Sequence, residues 1–160
     1  MPVTTRIEDV RNEITALGQA APTANALMQG VCQLLHERML KYNWVGFYML
    51  EPGAQPPVLV LEAFVGAMTP HTRIPLNQGI CGAAASSGKT IVVDDVSKDP
   101  RYLACSLETK SEIVVPIFVK KQVAGELDID SHFAAAFGIE DQKLVQYCAE
   151  VVGKKLEKSQ

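Results

Sequence analysis

Two sets of residues have the types and spacing to do chemistry: carboxylates near one end of a hairpin, and two cysteines that fall outside any apolar stripe. The hairpin consists of Glu112–Val119, a Lys-Lys-Gln connection and Val123–Ile129. Side chains alternate along a strand, so a slip of one residue turns every one of them over. Pairing Val119 with Gln122 would set Asp128 against Ile113 and Ile129 against Glu112. Pairing Val119 with Val123 puts Ile113, Val115, Ile117 and Val119 on one face with Ile129, Leu127, Gly125 and Val123, which is wholly apolar. That register is the one expected. On the opposite face Glu112 then stands across from Asp130, and Val114 across from Asp128. Directly opposed like charges destabilise a sheet. The acidic face is therefore either simply solvated or a site for a cation, an amino group or a divalent metal with oxygen ligands. Crowding should also raise one carboxyl pKa and leave a proton available for acid catalysis.

The four cysteines divide by context. Cys81 stands in Gly79-Ile-Cys-Gly82 at the start of a short helix, where backbone N–H groups and the helix dipole favour a thiolate. Cys105 lies in the loop Tyr102-Leu-Ala-Cys-Ser106, outside any periodic segment, where functional residues concentrate. Cys32 and Cys148 fall on apolar helical stripes and read as small buried hydrophobes. There is no Cys-x-x-Cys and no Cys/His ligand spacing, so a zinc site is not expected and no metal is assigned to the cysteines. The three histidines, His36, His71 and His132, show no triad-like arrangement.

The elements that must position these groups follow from periodicity. A Thr5-Arg-Ile-Glu8 capping box opens a first helix with Ile7, Val10, Ile14 and Leu17 at helical spacing. Thr23 caps a second, with Leu27, Val31, Leu34 and Leu35 along one side. Residues 43–50 and 58–65 are rich in aromatic and β-branched residues and flank a Pro- and Gly-rich turn, which predicts neighbouring antiparallel strands. A short extended piece at 73–76 and a helix over 79–87 closed by Gly88 come next. A strand at 90–94, a long loop over 95–110, the hairpin and a last helix over about 139–156 complete the chain. Hairpins in place of βαβ crossovers predict an α+β protein, a central antiparallel sheet of about six strands flanked by helices. No internal repeat or long linker is visible, so residues 1–160 are expected to form one domain.

Composition narrows the function class. The chain has 160 residues, 48% hydrophobic and 21% charged, enough for a core without disulfides. Fifteen basic against 18 acidic residues give a net charge of −3, which argues against a nucleic-acid partner. No signal peptide and no membrane span is visible, so a cytoplasmic location is expected. Cysteines in such a compartment serve packing, metal binding or redox chemistry.

Asn43-Trp-Val-Gly-Phe-Tyr48, Gly79-Ile-Cys-Gly82, Ala104-Cys-Ser106, Lys110-Ser-Glu-Ile-Val-Val-Pro-Ile117 and Leu127-Asp-Ile-Asp-Ser131 together resemble the GAF-domain free methionine-(R)-sulfoxide reductases. The likeness covers about residues 25–155. It implies a GAF sheet of six strands, a homodimer, no cofactor, and reduction of free methionine-(R)-sulfoxide at the expense of a thioredoxin-like dithiol. By position, Cys105 matches the cysteine that usually attacks the sulfoxide, and Cys81 a second redox cysteine, resolving in some members and catalytic in others. Glu112, Asp128 and Asp130 match the carboxylates that hold the substrate, and Trp44 and Tyr48 match aromatic residues lining its pocket. The family commonly has a third cysteine ten positions before Cys81, where this chain has His71. The helix dipole alone would make Cys81 the more reactive thiol, whereas the resemblance favours Cys105. A GAF sensor without redox chemistry and a metal-dependent hydrolase built on the carboxylates are the competing expectations.

Overall fold

A computed structural model describes residues 3–103 and 107–159. Six strands form one antiparallel sheet: β1 (Trp44–Leu50), β2 (Val58–Val65), β3 (Arg73–Pro75), β4 (Ile91–Val93), β5 (Ser111–Val119) and β6 (Gln122–Ser131). Their spatial order is β3-β2-β1-β6-β5-β4, so β1, β6 and β5 are interior. Helices α1 (Val3–Ala20), α2 (Ala24–Arg38) and α4 (Ile139–Lys158) cover one face, and α3 (Gly79–Ser87) covers the other. This is the expected α+β architecture.

Alternation along the strands builds two separate apolar layers. Val45 and Phe47 of β1, Ile113, Val115 and Ile117 of β5, and Leu127 and Ile129 of β6 pack against Val10, Ile14, Leu27, Val31, Leu35, Leu144 and Val152. Each such fully buried side chain contributes about 1.5–3 kcal/mol. Cys32 and Cys148 lie inside this layer with no exposure, as their stripes predict. Burial pushes both thiols up, Cys148 to about 12. Thr23 caps α2 as expected, its hydroxyl accepting from the Ala26 N–H at 3.1 Å. The second layer is smaller and holds Trp44, Tyr48, Leu59, Ile74 and Val114 with Ile80, Cys81, Ala84 and Ala85 of α3. This helix is made of small residues because it sits close. A Cβ on Gly82 would come within 2.8 Å of the Leu76 carbonyl oxygen.

The β5–β6 register is the expected one from Ser111–Ser131 to Ile117–Gly125, and then it shifts. Phe118 pairs with Val123 and Val119 with Gln122, so the expected Val119–Val123 pair does not form. Lys120 and Lys121 both have positive φ (51° and 68°), which closes a two-residue turn whose twist matches the strands. Ala124 is the extra residue of a bulge that absorbs the mismatch. The shift turns Val123 from the helical core to the α3 face. Two other expectations change. Helix α1 already runs through Thr5, because the spacing of a capping box also occurs inside helices. Among its described residues the loop over 95–110 contains a 3-10 turn, Val96–Lys98, opened by Asp95, which accepts from the Ser97 N–H at 3.0 Å.

Candidate active site

The α3 face of β1, β6 and β5 carries the carboxylates. Glu112 pairs with Asp130 and Val114 with Asp128, while across the other edge of β6 Asp130 meets Trp44, Asp128 meets Gly46 and Glu126 meets Tyr48. Glu112, Asp128 and Asp130 are thus brought together as expected, but not on a solvated surface: they are 5%, 2% and 2% exposed. A fourth carboxylate, Glu126, is on the same face with no exposure and was not anticipated. Its signal was present, since the same alternation that faces Asp128 this way faces Glu126 this way, opposite Pro116. Neither Glu126 oxygen, nor Oδ1 of Asp128 or of Asp130, has a hydrogen-bond partner among the described residues. The ion pairs of the described residues include none of these four side chains.

Helix α3 lowers Cys81 onto this cluster. Its thiol donates to Asp128 Oδ2 at 3.5 Å and is buried within the second apolar layer. The expectation of a dipole-stabilised thiolate therefore fails. Burial first, then the charges of Asp128, Glu126 and Glu112, push the Cys81 thiol well above its ordinary value. A helix N-terminus contributes only about 0.3–1 kcal/mol in most settings, which three adjacent carboxylates and burial outweigh. The same causes act on the acids. Burial, then the neighbouring Asp128 and Asp130, push Glu112 well above the carboxylate range. Burial also raises Glu126 and Asp130. Asp128 rises too, again through burial, but Glu112, Cys81 and Asp130 hydrogen-bond in favour of its charged form. Asp128, at the centre of the cluster, is thus the carboxyl held back least from ionising, and its neighbours are held back more. Crowding was expected to do this, but loss of water is the larger cause.

Two cavities flank the cluster. One, of about 20 Å³, is lined by Tyr48, His71, Ile74, Cys81, Leu103, Glu112 and Asp128. That is room for about one water. The Tyr48 hydroxyl donates to the His71 carbonyl at 2.6 Å, so the position where a third cysteine is missing forms part of this wall. The other, of about 100 Å³, is lined by Trp44, Thr69, Glu108, Asp130 and His132 among others. The Trp44 indole N–H donates to the Ala67 carbonyl at 3.0 Å, and the ring stacks on Phe64 at 5.8 Å. It folds over Gly46, where any Cβ would run into it. Cys105 lies outside the described residues. Leu103, two positions earlier, covers the N-terminus of α3, where a Cβ on Gly79 would come within 2.8 Å of it.

The chain is similar in sequence and fold to proteins already known. The GAF domain family matches residues 23–156. The chain is 36% identical over 135 residues to the free methionine-R-sulfoxide reductase of Escherichia coli strain K12, covering 84% of this chain and 79% of that protein. Among solved structures, the type II free methionine-R-sulfoxide reductase of Thermoplasma acidophilum is 41% identical with a TM-score of 0.78, over 89% of this chain and 96% of that one. The free methionine-R-sulfoxide reductase of Neisseria meningitidis, solved in complex with its substrate, is 34% identical with a TM-score of 0.88, over 96% of this chain and 89% of that one. The chain belongs to the free methionine-R-sulfoxide reductase family of GAF domains.

Proposed function

We propose that this chain is a thiol-dependent reductase of free methionine-(R)-sulfoxide, a single GAF domain acting as a homodimer in the cytoplasm with a thioredoxin-like dithiol as reductant. The observation that carries the reading is the buried group of Glu112, Asp128 and Asp130, which has no ion-pair partner among the described residues. A buried carboxylate without a counter-charge is costly, and the ammonium group of a free amino acid supplies that charge. A methionine inside a peptide has no such group, so the site selects the free form. Trp44 and Tyr48 supply the apolar wall for the methylthio end.

In the reaction, the Cys105 thiolate attacks the sulfoxide sulfur while Glu112, whose raised pKa favours its protonated form, gives a proton to the sulfoxide oxygen. The substrate sulfur–oxygen bond breaks, the hydroxyl passes to the Cys105 sulfur as the bond between the two sulfurs breaks, methionine leaves reduced by two electrons, and Cys105 is left as a sulfenic acid. The Cys81 thiol condenses with it, forming a disulfide and releasing water. Exchange with the external dithiol restores both thiols. With His71 where the family commonly has a third cysteine, Cys81 is the resolving partner.

Incubation of the reduced protein with each sulfoxide diastereomer, followed by thiol counting, tests this. The (R) form should remove two of the four thiols and yield one methionine, and Cys105→Ser should abolish turnover. Full turnover by Cys105→Ser would overturn the assignment. Retention of all four thiols would favour a non-catalytic GAF sensor, with His71 marking the lost redox cysteine.

A further inference from the structure

Cys81 Sγ, a Glu112 oxygen and an Asp128 oxygen all lie within 4.8 Å of one another, and all three residues are buried. They come from α3, β5 and β6, so no spacing along the chain announces them. All three line the cavity of about 20 Å³, a space for about one water or one bare ion. Glu126 supplies an independent observation. It is fully buried two residues before Asp128 on the same face of β6, neither of its oxygens has a nitrogen or oxygen partner among the described residues, and it acts on Cys81. Asp128, which lines the cavity, likewise has one oxygen, Oδ1, without a partner among the described residues.

We propose that Cys81, Glu112 and Asp128 form a binding site for a thiophilic divalent cation, zinc or cadmium, which competes with the substrate for the reduced protein. One thiolate and two carboxylates supply three ligands of a tetrahedral shell and leave a fourth position open to water. The sulfur selects against magnesium and calcium, whose shells are all oxygen. Glu126 stands beyond the ligands as a further negative charge that favours a dication. Because Cys81 is a ligand, the site exists only while that thiol is reduced, and a disulfide at Cys81 removes it. Competition rests on the reading of Glu112 and Asp128 as substrate-binding groups, whereas cation binding does not.

Titration of the reduced, substrate-free protein with cadmium tests the site through thiolate-to-metal charge-transfer absorption and calorimetry. One equivalent should bind to the wild type and to Cys105→Ser. Affinity should fall at least about tenfold in Cys81→Ser, Glu112→Gln and Asp128→Asn, with circular dichroism confirming that each is folded. Wild-type affinity in Cys81→Ser, or in both carboxylate variants, would overturn the site. Added methionine-(R)-sulfoxide should weaken cadmium binding, and zinc should raise KM for the sulfoxide with little change in kcat. Sulfoxide reduction without cadmium binding would sink the metal site and leave the proposed function standing. Cadmium binding that the sulfoxide never perturbs would keep the metal site and refute the shared carboxylates.

Discussion

Strands β5 and β6 present two faces built from alternate residues of the same segments, and the faces are opposites in energy. Toward α1, α2 and α4 they offer Ile113, Val115, Ile117, Leu127 and Ile129, each buried against other apolar side chains. Toward α3 they offer Glu112, Glu126, Asp128 and Asp130, equally buried, with both oxygens of Glu126 and one oxygen each of Asp128 and Asp130 unpartnered among the described residues. The cysteines divide the same way: Cys32 and Cys148 are inert filler in the first layer, while Cys81 touches a carboxylate in the second. One face stabilises the fold, and the other is held in place by it at a cost. The lesson is that burial alone does not mark a core; whether the buried groups are satisfied separates scaffold from site.

That contrast can be broken from either side. Leu127→Ala, on the apolar face, should lose about 2–5 kcal/mol of stability, read from denaturant unfolding, while activity per folded molecule is retained. A loss of activity larger than the loss of folded protein would show that the faces are not separable. Asp128→Asn, one residue along on the other face, should do the reverse. Turnover of free methionine-(R)-sulfoxide should fall about 100-fold or more, with a melting temperature equal to or above that of the wild type. A clear drop in melting temperature would mean the acidic face contributes to stability after all.

The smallest effect is expected at Glu126. Burial raises its pKa in the folded state above the ordinary value of 4.5. The folded protein therefore binds this proton more tightly than the unfolded chain does, and stability falls as pH rises from about 4.5 toward the raised value. Glu126→Gln removes that dependence. Scanning calorimetry should find the variant close to wild type near pH 4 and more stable by about 1–3 kcal/mol at pH 8. A variant less stable than wild type at pH 8 would require a hidden cation beside Glu126.

Much of this was legible in the sequence, because alternation and turn chemistry are local. The Thr23 cap, the strands at 44–50 and 58–65, Gly88 at the end of α3 and the facing of Glu112, Asp128 and Asp130 all follow from residue types a few positions apart. What was not legible depends on separate elements meeting. Nothing near Cys81 in the chain says that α3 lowers it onto Asp128, so a helix-terminus argument gave the wrong direction for its thiol. The bulge at Ala124 also escaped, because Val119 and Val123 satisfy the apolar pattern on paper while the two-residue turn demands a different pairing.

That bulge has a consequence for how this chain can vary over evolution. Val123 lies beneath Gly88, where Phe118 and Val123 meet the end of α3. The end of the helix that carries Cys81 thus rests on the tip of a hairpin, at the far end of α3 from the cysteine. Deleting Ala124 would remove the bulge yet keep Phe118 opposite Val123 and Ile117 opposite Gly125, so Val123 would remain beneath α3. The facing of Val123 is fixed by its pairing with Phe118 across the two-residue turn and tolerates both exchange and loss of Ala124.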